Sequence, residues 1–229
     1  MSRIFFTSDP HYGHRKVAME RVQNRPDIFG DHGADFIAHD DYIAADDVEA
    51  AGRVAERIIA IHDAEIARRW DSVVAPEDIV YVVGDICVGE GKGCDAAIGI
   101  IESRPGRKRL VAGNHDPVHS AHRKRNTWKP RFDEVFETVD PWTRIKVGKR
   151  DIMVCHYPYN GDHTPEDRDE QYRMRDCGAP IIHGHTHSPE KVSFSATGTV
   201  QAHVGVDAWD FTPVEQPVVM GIIAANETV

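Results

Sequence analysis

The chain has no Cys-x-x-Cys pair and no apolar run long enough to cross a bilayer, which takes about 18 to 20 residues. Its four cysteines, Cys87, Cys94, Cys155 and Cys177, are scattered. Without such pairing they read as reduced thiols in the cytoplasm. Met1-Ser2-Arg3 leads straight into an apolar stretch, so neither a secretory leader nor a membrane partner is expected. Repeats, low-complexity segments and long linkers are also missing, which leaves a single domain over 1–229. Positive charge is scarce: 27 Lys and Arg stand against 37 Asp and Glu, a net −10 with histidine neutral. Nucleic-acid surfaces work by neutralising phosphates with Lys and Arg, so no stable nucleic-acid partner is expected. The short basic runs Arg104–Arg109 and His122–Arg125 read as solvated faces, the second placed to guide an anionic substrate. No pattern specifies an oligomeric state.

Histidine, by contrast, is abundant at 14 in 229 residues, and apolar content of 41% with 28% charged residues fits a globular domain. Seven of the histidines, His14, His32, His39, His62, His119, His122 and His163, fall in polar, helical or loop contexts that predict surface positions. Of the others, all but His203 gather in or near five blocks of metal-binding residue types: Asp9-Pro10-His11, Gly84-Asp85, Gly113-Asn114-His115-Asp116, His156, and Gly184-His185-Thr186-His187. These offer two Asp, one Asn and four His as ligands, with His115 left over. Such a set suffices for two ions sharing one carboxylate, an arrangement suited to phosphate-ester hydrolysis. Residues i and i+2 of an extended chain share a face, so Asp9 and His11, and likewise His185 and His187, are expected to reach the same side. Every block follows an apolar run: Ile4–Phe6, Ile79–Val83, Leu110–Ala112, Ile152–Val154 and Ile181-Ile182. The ligands therefore stand at C-terminal strand ends, where open α/β sheets bind ligands. Gly84, Gly113 and Gly184 each precede a ligand, where a missing Cβ permits unusual angles or close approach.

Patterning predicts strands over 3–8, 79–83 and 108–112, a helix over 50–70 with an apolar stripe including Ile58, Ile66 and Trp70, and a helix near 94–103. The stretch 14–47 is expected to hold a short helix and loops, with Pro26, Gly30 and Gly33 as breakers. The second half reads as strand-rich, over 135–139, 143–147, 151–155, 179–183, 200–206 and 217–223, with a hairpin turn at Gly148-Lys149-Arg150.

Five blocks in this order, each at a strand end, resemble the calcineurin-like metallophosphoesterases over nearly the whole chain, from Asp9 to about Asp207. The resemblance implies a mixed α/β fold: a four-layer αββα sandwich of two mixed sheets flanked by helices. It implies that Asp9, His11 and His187 hold one metal, that Asn114, His156 and His185 hold a second, and that Asp85 bridges them. It also implies that a hydroxide shared by the ions attacks phosphorus while His115 acts as acid, with Asp116 orienting it. Imidazole with carboxylate suits two divalent transition-metal ions, Mn first, with Fe, Zn or Ni as alternatives. Such ions lower the pKa of water from 15.7 toward about 7 and stabilise phosphoryl charge.

Departures narrow the resemblance. The superfamily's protein phosphatases carry an arginine-bearing run after Gly-Asp and an arginine before Gly-Asn-His, whereas this chain has Ile86-Cys87-Val88-Gly89 and Ala112. Its recombination nucleases carry an added DNA-capping domain, for which this acidic chain is too short. The short bacterial and phage-encoded phosphodiesterases remain, acting on a small phosphate ester or nucleotide, 2′,3′-cyclic nucleotides included. The alternatives are a phosphomonoesterase and a non-catalytic scaffold of the same fold, such as the retromer subunit. Substrate choice is expected in the loops, with His14, Tyr157, Tyr159, Arg168, Arg173 and His203 as candidates, the tyrosines for stacking on a base and the arginines for phosphate. His183 is expected to support His185 from within its strand.

Overall fold

Successive residues of the early strands carry apolar side chains to both faces, so each strand must be covered on two sides. The computed structural model, which describes residues 2–226, provides that cover. In chain order the elements are β1 (Ile4–Thr7), α1 (Arg15–Asn24), α2 (Pro26–Phe29), α3 (Gly33–Ala44), α4 (Val48–Val73), β2 (Ile79–Val82), α5 (Lys92–Glu102), β3 (Arg107–Val111), α6 (Arg125–Asp133), β4 (Phe136–Asp140), β5 (Trp142–Val147), β6 (Arg150–Cys155), β7 (Ile181–His183), β8 (Val192–Phe194), β9 (Val200–His203), β10 (Val214–Glu215) and α7 (Gln216–Asn226). They build two five-stranded sheets, ordered β10-β1-β2-β3-β4 and β5-β6-β7-β9-β8. Both are mixed: β1 to β4 run parallel with β10 antiparallel, and β6, β7 and β9 run parallel between antiparallel edges.

Phe5, Val80, Val82 and Leu110 point into a core shared with α1 to α6. Their neighbours Phe6, Tyr81, Val83 and Val111 point the other way, against Ile145, Ile152, Val154 and Ile182 of the second sheet. The expected sandwich of two mixed sheets flanked by helices is therefore present, with its helices unevenly shared. The far face of the second sheet carries a small cluster in which Tyr157, Tyr159 and Met174, all from the β6–β7 connection, pack on Met153, Cys155 and Ile181.

Several expectations change. The run 217–223 is helix, not strand, and Val219 and Ile223, one turn apart, enter the core between the sheets. An uninterrupted apolar run reads equally well as either element, and only packing decides. The segment 14–47 holds three helices, and α6, β8 and β10 add elements that were not expected. The strand expected over 200–206 ends at His203 and passes into a 3-10 turn, Val206–Ala208. The β5–β6 hairpin pairs Val147 with Arg150, as expected around Gly148.

Two histidines expected at the surface are buried. His62 lies on the inner stripe of α4, bonded to Asp63 at 2.8 Å. His119 packs edge-on against Tyr157 and Tyr172, and its Nδ1 accepts from the Ala121 amide. Burial, helped by His156, lowers His119 to about 4. The unfolded chain takes up this proton near pH 6.5 and the folded chain only near 4, so this contribution to stability is complete above about pH 6.5 and lost as pH falls to 4. Urea unfolding of the wild type should therefore show about 1 to 2 kcal/mol more loss between pH 7 and 4.5 than His119→Asn, which keeps an acceptor for Ala121 but takes no proton. Parallel profiles for the two proteins would refute this.

Candidate metal centre

All five blocks leave their strands at one edge of the two sheets. The loops after β1 and β2 continue side by side, with Asp9 N donating to Gly84 O at 3.0 Å and His11 N to Asp85 O at 3.1 Å. Ser8 pairs with Gly205, which ties the loops of the two sheets together, and Gly184 N donates to His156 O within the second. The ligand pairs do not converge by strand alternation. Asp9, His11, Asp85, His185 and His187 have φ of 57°, 48°, 54°, 70° and 49°, in the left-handed region. Five of the nine non-glycine residues with positive φ among the described residues are thus candidate ligands. Such a backbone costs about 1 to 3 kcal/mol per residue and persists only where the surroundings enforce it. The glycines make those surroundings possible: Gly84 has φ +92°, and a Cβ there would lie 2.5 Å from Gly113 N and 2.6 Å from His156 Nδ1.

The donor atoms form two adjoining groups. In the first, His11 Nε2 lies 3.0 Å from His187 Nε2, and His187 Nε2 lies 3.7 Å from Asp9 Oδ1. In the second, Asn114 Oδ1 is 3.1 Å from both His156 Nε2 and His185 Nδ1. Asp85 Oδ2 lies between the groups, 3.7 Å from His11 Nε2 and 3.4 Å from His156 Nε2. Metal–ligand bonds of about 2.0 to 2.2 Å put neighbouring ligands roughly 3 to 3.5 Å apart, so these separations fit the edges of coordination polyhedra. The donor chemistry agrees. His156 Nδ1 faces Val83 O at 2.8 Å and must carry the ring proton there, which leaves the Nε2 lone pair on the site. Acceptors converging on one point call for a cation. Asp9, His11 and His187, and again Asp9, Asp85 and His156, have their ligand atoms within 4.8 Å of one another.

Burial lowers His11 well below the usual imidazole range and takes His185 to about 4, so both favour the neutral form that binds metal. Burial alone would raise the Asp85 carboxyl, but His156 and His11 hold it well below the carboxylate range. Burial opposes protonation of His156, and the Asp85 carboxylate overrides it, raising the imidazole to about 10, so a cation frees the Nε2 lone pair by displacing the proton shared with Asp85.

His115 stands on the rim, half-buried, with its ring edge toward His11 at 5.5 Å and its amide donating to Asp85 Oδ1 at 2.8 Å. Asp116 does not orient it. Its carboxylate is buried and accepts the amides of Asp85, Ile86 and Gly113 at 2.8 to 2.9 Å, bracing the two ligand loops instead. Burial and the Asp85 charge push Asp116 up to about 7, against those three donors.

The expected substrate residues divide. His14 lies beside His11, ring to ring at 5.4 Å, on the open side. Tyr157 is buried with its hydroxyl on Asp169, and the partly buried Tyr159 packs on the cluster behind the second sheet with its hydroxyl donating to Ala179 O. Arg168 and Arg173 both bind Asp162 and are not free for phosphate. His203 is buried and lines, with His183, a cavity of about 230 Å³. Cys87 and Cys94 thiols meet at 2.7 Å in the helix-side core, two residues beyond Asp85.

Three residues had no signal in the spacing of the blocks. Asp162 bonds His185 Nε2 at 3.0 Å. Arg21 of α1 is buried, donates to Asp9 O at 2.9 Å, and pairs with Asp207 at 2.6 Å. Asp207 in turn stands 3.9 Å from His187 Nδ1.

Residues 58–209 match the calcineurin-like phosphoesterase superfamily domain, a span that holds every block except Asp9–His11. The chain is 42% identical over 216 residues to the gene 66 protein of Mycobacterium phage L5, covering 91% of this chain and 88% of that one. It is 35% identical over 222 residues to the gene 66 protein of Mycobacterium phage D29, covering 94% of each. A crystal structure of a protein of unknown function from Aquifex aeolicus shares the fold, with TM-score 0.61 at 20% identity, over 97% of this chain and 100% of that one. The strand-end donor groups and the matched span lead to one assignment: the chain belongs to the calcineurin-like phosphoesterase superfamily.

Proposed function

We propose that this phosphoesterase is a phosphodiesterase that works with two divalent transition-metal ions, manganese favoured, on small nucleotide diesters, 2′,3′-cyclic nucleotides among them. The observation that carries the reading is Asp85 Oδ2, set between His11 Nε2 at 3.7 Å and His156 Nε2 at 3.4 Å, where one carboxylate serves both donor groups. When bound, such ions supply Lewis acidity and lower the pKa of water. The residues of the chain do the rest. His115, tethered through its amide to Asp85, overlooks the donor groups and supplies a proton to the leaving oxygen. His14 and the exposed His163 add imidazole faces to the rim. Arg21, Arg168 and Arg173, which reach the surrounding loops, are each engaged by a carboxylate. That balance suits a singly charged diester better than a doubly charged monoester.

Hydrolysis of bis-p-nitrophenyl phosphate with Mn²⁺ should exceed that of p-nitrophenyl phosphate and vanish with chelator. Among 2′,3′-cyclic AMP, 3′,5′-cyclic AMP and a dinucleoside polyphosphate, the first should be turned over fastest. His115→Ala should lower kcat on 2′,3′-cyclic AMP by about 10²- to 10⁴-fold, the usual range for a general acid. The p-nitrophenyl diester should lose less, because p-nitrophenolate leaves without a proton. Equal losses on both substrates would remove His115 from the acid role, and absence of metal-dependent turnover would end the reading.

A further inference from the structure

We propose that Asp162 is a positioning residue for the metal centre: by accepting a hydrogen bond from His185 Nε2, it turns the Nδ1 lone pair of that imidazole onto the second donor group. The inference rests on the metal-binding part of the proposed function.

Asp162 lies in the long connection between β6 and β7, six residues after His156, and its side chain is inaccessible to solvent. One carboxylate oxygen, Oδ2, meets His185 Nε2 at 3.0 Å and Arg173 Nη2 at 3.1 Å. The other, Oδ1, meets Arg168 Nη2 at 2.9 Å and the His163 amide at 2.8 Å. Arg173, itself 4% exposed, also donates to Gly161 O and Pro158 O, so the carboxylate is clamped where the loop turns over His185.

That clamp selects one tautomer. A carboxylate paired with two arginines accepts hydrogen bonds, so the imidazole nitrogen facing it must be the one that carries hydrogen. The opposite nitrogen, Nδ1, then offers its lone pair 3.1 Å from Asn114 Oδ1, which His156 Nε2 approaches at the same distance. With the other tautomer, His185 would satisfy Asn114 internally and turn a lone pair on the Asp162 carboxylate. A carboxylate behind a metal-binding imidazole orients the ring and raises its basicity, and losing it typically costs 10- to 100-fold in metal affinity or activity. Asp207 stands behind His187 in a similar way, at a longer 3.9 Å and held by Arg21. Both imidazoles of the last block are thus backed by an arginine-anchored aspartate from another part of the chain.

Mn²⁺ alone, titrated calorimetrically into the metal-stripped full chain, tests this, with Co²⁺ absorption as a spectroscopic readout of ligand geometry. The wild type should bind two ions. Asp162→Ala should keep one at wild-type affinity and bind the second about 10- to 100-fold more weakly, with altered Co²⁺ bands for that ion. Asp162→Asn, which retains an oxygen toward Nε2, should recover part of the loss, and it carries the test if the alanine variant does not fold. Wild-type affinity for both ions in each variant would overturn the proposal. So would a wild type binding three ions of which Asp162→Ala loses only the third, since Asp162, His163 and His185 would then hold an ion of their own. A wild type that binds no Mn²⁺ overturns the metal-centre reading, and the proposal with it. Two ions bound without diester hydrolysis overturns the phosphodiesterase reading and leaves Asp162 in its role if the variants behave as stated.

Discussion

His156→Ala should abolish metal-dependent diester hydrolysis, by about 10³-fold or more in kcat/KM, while the protein remains folded. The size of the effect follows from the position of the side chain. His156 is buried, its Nδ1 is held on Val83 O, and its Nε2 is within 3.4 Å of both Asp85 Oδ2 and Asn114 Oδ1. It is therefore the imidazole common to the Asp85 carboxylate and the second donor group. Lewis-acid stabilisation by a bound ion is worth several kcal/mol in the transition state, and each 1.4 kcal/mol is a factor of ten. The fold should survive because the two apolar cores on the faces of the first sheet do not include this ring. Bis-p-nitrophenyl phosphate kinetics with bound-metal analysis checks the expectation. Activity within tenfold of wild type, with full metal content, would sink it.

The second large effect is structural. Gly84→Ala should destabilise the protein by about 3 kcal/mol or more and remove metal binding with it. Two causes act together: φ of +92° strains any L side chain, and the added Cβ would meet Gly113 N at 2.5 Å and Gly113 Cα at 2.6 Å. Backbone atoms cannot swing aside as a flexible side chain can, so two ligand loops must separate. Gly148→Ala is the control. It shares a positive φ, +62°, but nothing lies within 4 Å, so only the conformational cost of about 1 kcal/mol should appear. Urea unfolding of both variants separates strain from collision. Equal losses at the two positions would mean that the close approach of the Gly84 and Gly113 loops contributes little.

The ligand backbone explains why these glycines matter. Asp9, His11, Asp85, His185 and His187 all hold left-handed angles. They are kept there by pairings between loops, by Asp116 on three amides, and by Arg21 on Asp9 O and Pro10 O. Loops arranged in this way meet a cation with the donor atoms already assembled, and the cost of that arrangement is carried by the sheets beneath.

The sequence alone determined which residues stand as candidate ligands and the edge on which they gather. Apolar runs followed by Asp, Asn or His mark strand ends whatever the fold, and the order of the five blocks is a linear property. It could not show that 217–223 is helix, because a fully apolar run has no period that separates helix from strand. It did not show that Tyr157 is engaged by Asp169, or Arg168 and Arg173 by Asp162, because a loop residue's availability depends on which partner reaches it first. It assigned Asp116 to His115, its sequence neighbour, when the carboxylate faces the amides of a loop about 30 residues away. Alternation along an extended strand brought Asp9 to His11 on paper, whereas left-handed turns do so in the protein and send His185 and His187 to different donor groups. Tertiary structure alone decided that Asp162 stands behind His185, and Asp207 behind His187, each anchored by arginine. The physical reason is common to these cases: hydrogen-bond partners, imidazole tautomers and charge pairing are set by distances across the fold, which the linear spacing of residues does not contain.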